Sequence, residues 1–352
     1  MGRRPKPEDL RRLLDWATEA GIVPGAVVRV EREGRTIVEA SSGWAMLLPE
    51  RRPMRPDCLF DLASVTKPVA TSTSIMILVE RGEVSLDTPV GSLVPEFRGG
   101  HKGEVTIRHL LAHTSGLPAH LRFYEALSGK EEIVRAVCKT PLEALPGKRF
   151  RYSDLGFILL GEVVERASGV PLDRFCKENI FDPLGMRDTC FKPDLRRFAR
   201  RLVATEFCKW RGRVICGEVH DENAYAMGEV AGHAGLFSTA RDLTTFLRML
   251  LNEGELDGVR ILRPESVRLM FSPLGGPVSH FGLGWHISAP VPSFSERTFW
   301  HSGFTGTFVC ADPEGMVTVV LLTNRIHPSR ETPGFLQFRS LALQVARETA
   351  EG

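Results

Sequence analysis

Residues 61–74 read DLASVTKPVATSTS and place Ser64 three positions before Lys67, with Pro68 directly after. Three residues is almost one helical turn, so the two side chains share a face. Helical side chains lean back toward the N-terminus, which carries the Lys67 amine toward the Ser64 hydroxyl. Pro68 falls in the first turn, where a missing N–H costs little, so the helix begins at Ser64 and is expected to run to Arg81, with Gly82 as its stop. At a helix start the dipole favours negative charge developing on the serine oxygen. The same four residues also describe a plain helix start with a solvated lysine, and the rest of the chain decides between the two readings.

The chain has 352 residues, 43% hydrophobic and 25% charged, which is ordinary globular composition for one large domain or two smaller ones. A net charge of +2 argues against a dedicated nucleic-acid surface. No run of about 18 apolar residues occurs, so no membrane span is expected. The opening MGRRPKPEDLRRLLDWATEAG reads as an amphipathic helix rather than a secretory leader. Seven scattered cysteines, at positions 58, 138, 176, 190, 208, 216 and 310, form no C-x-x-C pair. They fit free thiols in a reducing cytoplasm, the compartment expected for this chain.

Along the chain, GAVVRVEREGRTIVEAS (25–41) predicts a hairpin turning at Glu33-Gly34. Helices are expected at 106–112, 130–138, 154–167 and 171–180, at 240–251 with Ser238 as N-cap, and at 263–270. Strand-like runs follow in FGLGWHI (281–287), RTFWHSG (297–303), GTFVCAD (306–312) and MVTVVLLTN (316–324), and FLQFRSLALQVARETA (335–350) closes with an amphipathic helix. Strands at both ends and helices between predict an α/β domain built from 1–82 plus 236–352, with a helical domain, 83–235, inserted.

Three further segments could complete a site around Ser64. In PGKRFRYSDLGFILLGEVVE (146–165), Tyr152 precedes a helix that Asp154 is expected to cap, and a phenol beside Lys67 suits proton relay; simple packing is the alternative. In FWHSGFTGTFVC (299–310), Ser302-Gly303 would let a ligand backbone lie against a strand edge, or mark a bend. AGHAGLFSTARDL (231–243) reads as structural, a tight backbone path into a capped helix.

Together these resemble the penicillin-recognising serine hydrolases: class C β-lactamases, D-alanyl-D-alanine peptidases and β-lactamase-like esterases. Ser64-Val65-Thr66-Lys67 matches S-x-x-K, Tyr152-Ser153-Asp154 is similar to Y-x-N, and His301-Ser302-Gly303 stands where K-T-G or H-T-G is found. LLAHTSGLP (110–118) and LLTNR (321–325) are phrases typical of the class C-like group. The resemblance spans residues 10 to 348. It implies an antiparallel sheet flanked by N- and C-terminal helices with an inserted helical domain, and an active site at their interface.

It also implies acyl transfer on a small ester or amide with no cofactor and no metal. Ser64 would be the nucleophile, Lys67 and Tyr152 its proton-transfer partners, and the backbone N–H groups of Ser64 and Phe304 the oxyanion hole. Asp154, His301, Ser302 and Gly303 would bind substrate. Asp154 stands for an asparagine that meets a substrate amide, and His301 for a lysine that meets a substrate carboxylate. Both departures point away from β-lactams and toward esters or small amides; a D-amino-acid peptidase, a β-lactamase, or an acylated sensor without turnover are the alternatives. His109 and His113 are spaced four apart but lack the glutamate of H-E-x-x-H, so structural roles are expected. His220-Asp221-Glu222-Asn223 could line the cleft or form a solvated loop.

Overall fold

The computed structural model describes residues 4–273 and 281–352. Its centre is a seven-stranded antiparallel sheet: β1 Gly25–Arg32, β2 Arg35–Met46, β3 Arg52–Pro53, β4 His286–Ile287, β5 Phe299–Ser302, β6 Thr307–Asp312 and β7 Val317–Thr323. The order is β4-β5-β6-β7-β1-β2-β3, so the two ends of the chain meet where β7 pairs with β1 (Val28 opposite Leu321). The β1–β2 turn falls at Glu33-Gly34 with φ of 50° and 76°, the left-handed pair that a two-residue hairpin needs.

Every residue of β7 is buried, which requires cover on both faces. Val319 and Leu321 face helices α1 (Pro7–Glu19) and α5 (Phe335–Ala350), meeting Leu10, Leu14, Phe338 and Leu343. Val320 and Leu322 face the other way, into a larger core with Leu243, Phe246 and Leu247 of α4 (Ala240–Leu251) and with the helical insert. The predicted strands at 297–324 are thus present as β5 to β7. FGLGWHI is strand only at His286–Ile287, with one further bridge between Phe281 and His286.

The Ser64 segment is less regular than a continuous α-helix. A tight turn at Ala63–Val65 leads into a wide turn at Lys67–Ser72, and α2 proper is Thr73–Glu80. Pro68 has no N–H to give to the preceding turn, which favours such widening. A small second sheet ties the segment down, with Asp61 paired to Phe237 and Phe237 to Cys190. Two expected caps differ by one residue. Thr239, not Ser238, caps α4 by accepting the Asp242 N–H, and Ser153, not Asp154, caps α3 (Asp154–Ser168) by accepting the Gly156 N–H. In both cases the expected residue is diverted: Ser238 is paired with Thr189, and Asp154 is paired with Lys67. Among the described residues no helix is long and apolar enough to cross a membrane.

One close approach sets the distance between α3 and the 231–235 loop. A Cβ on Gly232 would stand 2.1 Å from the Phe157 carbonyl oxygen and 2.8 Å from the Gly161 nitrogen. Both are backbone atoms and cannot swing aside. Gly232→Ala should therefore destabilise the protein by about 1–3 kcal/mol, the usual cost of overpacking. Urea denaturation checks this, and an unchanged midpoint would show that the loop is free to move off the helix.

Candidate active site

Ser64 is placed by the residue before it. Ala63 has φ of 46°, a left-handed conformation that a non-glycine residue holds only under constraint. The constraint is Asp61: one carboxylate oxygen accepts the Ala63 N–H at 2.8 Å and the other accepts the His220 N–H at 2.6 Å. Asp61 is buried, and burial raises its pKa against the pull of those two N–H groups.

Lys67 lies fully buried beneath Ser64. Its Nζ donates to Ser64 Oγ at 2.8 Å and to the His233 carbonyl at 3.3 Å, and it pairs with Asp154 Oδ1 at 2.8 Å. The ammonium also sits 4.8 Å from the centroid of the Tyr152 ring. Burial pulls the Lys67 pKa down, but the Asp154 charge and then Tyr152 outweigh it and hold the amine above the ordinary lysine range. Burial likewise pushes Asp154 up, yet Lys67 and His120 leave its carboxyl well below the usual range. The pair is a charged ammonium and a charged carboxylate. Tyr152, which interacts with both Lys67 and Ser64, is raised by burial, and the Asp154 charge opposes the pull of Lys67.

Tyr152 is braced by His113. The His113 carbonyl accepts the Arg151 N–H at 2.8 Å, and its Nδ1 accepts the Ser153 N–H at 3.0 Å, so both neighbours of Tyr152 are strapped to one residue. The two rings lie 4.4 Å apart. Ser153 Oγ donates to the Pro118 carbonyl and the Asp154 N–H to Ala119, so the segment LLAHTSGLP is the cradle of the tyrosine loop. Burial, then the Lys67 charge, drive the His113 pKa well down, leaving it neutral.

The β5–β6 turn closes the other side. Thr305 Oγ1 donates to the Asp61 carbonyl and Thr307 Oγ1 to that of Leu62. Gly303 lies so close that a Cβ would stand 2.3 Å from the Leu62 oxygen. Phe304 follows, lining the cleft. His301 is buried, and its Nδ1 donates to the Ser302 carbonyl at 3.0 Å, while its Nε2 is buried without a hydrogen-bond partner among the described residues. Burial and the neighbouring His286 keep His301 well below the ordinary histidine range. Two cavities meet at Ser64, Tyr152 and Phe304. One of about 630 Å³ includes His301, Ser302, Gly303 and three arginines; one of about 340 Å³ includes His120, Asp154, Asp221 and His233.

Ser64, Tyr152, Asp154, His301, Ser302, Gly303 and Phe304 thus line one cleft with Lys67 buried beneath it, and His220, Asp221 and Glu222 of the polar loop line it too. Three side chains the sequence left aside also line it, His120, His233 and Arg330, and His113 is buried behind the Tyr152 ring. His109 caps its own helix at Thr106 while His113 turns inward, so the two do not act as a pair. Among the described residues a cluster of Glu206, Cys208 and Glu222 has metal-ligand spacing, but Arg330 pairs with both glutamates.

The Beta-lactamase family profile matches residues 10–341. The chain belongs to the Beta-lactamase family. It is 36% identical over 302 residues to a candidate D-alanyl-D-alanine carboxypeptidase of Escherichia coli (strain K12), covering 76% of this chain and 69% of that one. It is 32% identical over 358 residues to an N-acetylmuramyl-L-alanine amidase of Bacillus subtilis (strain 168), covering 90% and 81%. Among solved structures, EstCE1, a hydrolase with promiscuous acyltransferase activity, superposes with a TM-score of 0.77 at 25% identity over 98% of both chains. The protein is a serine hydrolase of this family.

The Lys67–Asp154 pair has a definite pH signature. Asp154 is depressed, so its contribution to stability is full above the ordinary aspartate pKa of about 4 and is lost as pH falls below it. Lys67 is raised, so its contribution is full below about 10 and is lost only as pH rises through its folded value. The stability difference between wild type and Asp154→Asn should be flat from about pH 5 to 9 and shrink below about pH 4. Denaturant unfolding across that range checks it; a difference that does not change in acid would show that the pair is not an ion pair.

Proposed function

We propose that Ser64 is the nucleophile of an acyl-transfer hydrolase acting on small esters or amides. The observation that carries this reading is the Lys67 Nζ, buried and 2.8 Å from Ser64 Oγ where two cavities meet. Ser64 loses its proton into the Lys67–Tyr152 pair, and Oγ attacks the substrate carbonyl carbon. The oxyanion is received by the N–H groups of Ser64 and Phe304, for which the tight Gly303 packing on Leu62 supplies the rigidity. Tyr152 returns the proton to the leaving oxygen or nitrogen. Water then adds to the acyl-enzyme by the reverse route, releasing the acid and restoring Ser64.

Asp154 and His301 set the character of the site. A charged Lys67 cannot accept a proton, so the active form has one proton fewer than the resting form. Asp154 Oδ2 meets the half-exposed His120 at 3.2 Å, which offers that proton an exit to solvent. A neutral His301 cannot hold a carboxylate as a lysine does. That favours esters and small amides over β-lactams. Peptide or muramyl-amide hydrolysis is the second reading, favoured by the names of the curated relatives. The seven cysteines are all unpaired, which supports a reducing, cytoplasmic location. We keep 83–235 as a unit inserted between 1–82 and 236–352, with the cleft at their junction.

Parallel assays with p-nitrophenyl esters, a chromogenic cephalosporin and D-amino-acid peptides test the substrate class, with esters expected to lead; hydrolysis of the cephalosporin as fast as the esters would refute it. Ser64→Ala should fold normally and lose nearly all turnover. Lys67→Ala and Tyr152→Phe should each cut kcat by about two orders of magnitude or more. Because they share one proton path, the double variant should fall far short of the summed loss; additive losses would separate their roles.

The same arrangement fixes a pH profile. Activity of the wild type should climb with pH through neutrality, because Asp154 raises the amine that must give up a proton. Asp154→Asn removes that charge and should move the rising limb of kcat/KM at least about one unit toward acid. A limb that stays in place would mean that Lys67 does not govern it.

A further inference from the structure

The β5–β6 turn is fixed on either side of Phe304, by Gly303 against Leu62 and by the Thr305 hydroxyl on the Asp61 carbonyl. Within the turn the Gly303 N–H donates to the Thr307 carbonyl at 2.7 Å and the Gly306 N–H to the Gly303 carbonyl at 3.0 Å. The Phe304 N–H has no acceptor among the described residues. A peptide plane moves as one unit on two soft dihedrals, so fixed neighbours still leave this N–H free to rock. The Phe304 side chain is what remains to steady it. Its ring stacks on that of His220, with centroids 5.6 Å apart and planes at 19°. The guanidiniums of Arg325 and Arg330 lie 4.9 Å and 5.3 Å from its centroid.

His220 is buried and tied at both ends. Its N–H donates to Asp61 Oδ2 at 2.6 Å, and Asp61 Oδ1 accepts the N–H of Ala63, the residue before Ser64, at 2.8 Å. Its Nε2 stands 3.1 Å from Glu206 Oε1. Glu206, on the strand Ala204–Cys208, is buried too, and its Oε2 accepts the Arg330 Nε–H at 2.7 Å. Burial pushes the Glu206 carboxyl up, but Arg330 and then His220 outweigh it and hold it at about 2. One histidine therefore joins the turn that carries Ser64 to the ring of Phe304. Two N–H groups serve one oxygen only when both lie within hydrogen-bond reach of it, so their spacing tolerates little error.

We infer that His220 is a positioning residue: its backbone steadies the Ser64 turn through Asp61, its ring steadies Phe304, and the two oxyanion N–H groups are thereby held at one spacing. This rests on the reading of those N–H groups as the oxyanion hole and names the residue that aligns them. A histidine that only filled space would affect stability, or would affect substrate and transition state alike. One that aligns the donors is felt when the carbonyl oxygen takes up negative charge, and so in kcat rather than in KM.

The test compares His220→Gln, which removes the ring, with His220→Phe, which keeps a ring to stack; both keep the backbone N–H. With p-nitrophenyl butyrate, His220→Gln should lower kcat about tenfold or more and leave KM within about twofold, as expected for a misplaced oxyanion donor. His220→Phe should recover most of that loss. Glu206→Gln leaves the ring but loosens its anchor, and should give a smaller loss of the same kind. The ketone 1,1,1-trifluorohexan-2-one takes up Ser64 Oγ at its carbonyl carbon to give a charged tetrahedral adduct. Its affinity for His220→Gln should fall by the same factor as kcat/KM. Hydrogen exchange of the peptide 302–307 reads the turn without turnover: the Gly303 and Gly306 amides should exchange faster in His220→Gln than in the wild type or His220→Phe. If the wild type neither hydrolyses the ester nor takes up the ketone while exchange follows that order, the hydrolase reading fails and the positioning role stands. Equal kcat in the wild type and His220→Gln, a change confined to KM or to melting temperature, or exchange identical in all three proteins overturns it.

Discussion

A lysine ammonium buried under a serine is the constraint around which this molecule is arranged. Removing such a charge from water costs several kcal/mol, and only close, well-aimed partners offset it. Lys67 finds four: the Ser64 hydroxyl, the Asp154 carboxylate, the His233 carbonyl and the face of Tyr152. They come from three segments far apart in the chain, so each segment must be held in place. Asp61 and the β5–β6 turn hold the first, the His113 loop holds the second, and the Gly232–Gly161 contact holds the third. The sheet joins the chain ends, and α3 carries the tyrosine loop into register with them.

The pairing also divides the cleft electrically. On one side Asp154 pairs with the amine and with His120, and Asp221 pairs with His233, so acidic and basic groups alternate at short range. On the other side the histidines His286 and His301 are neutral, and positive charge collects farther out at the arginines. An asparagine at position 154 would leave the ammonium less stabilised. A lysine at 301 would bring a second cation into the wall that the imidazole keeps neutral.

The sequence showed most where local geometry decides. The spacing of Ser64 and Lys67 needs only helical periodicity, and the fully apolar run 317–323 needs only a strand covered on both faces. The order of the S-x-x-K, Y-x-D and H-S-G segments then pointed to the family, which the relatives bear out. Tertiary choices were not legible. Ser153 takes the cap because Asp154 is drawn to Lys67, a partner 87 positions away that no local rule sees. His113 adopts φ of 55° beyond its helix and turns inward, which a four-residue spacing to His109 obscured. Its place in LLAHTSGLP was the one available signal. Arg325 and Arg339 lie on a strand exit and a helix, and only the packing of α5 on the sheet brings them to one cavity.

The most direct measurement is covalent labelling by a fluorophosphonate, followed by intact mass and peptide mapping across pH. A single adduct on the peptide containing Ser64 is expected, with a labelling rate that rises with pH and is lost in Lys67→Ala. An adduct on any other residue, or a rate on Ser64 indifferent to pH and to Lys67, would contradict a serine activated by the buried amine.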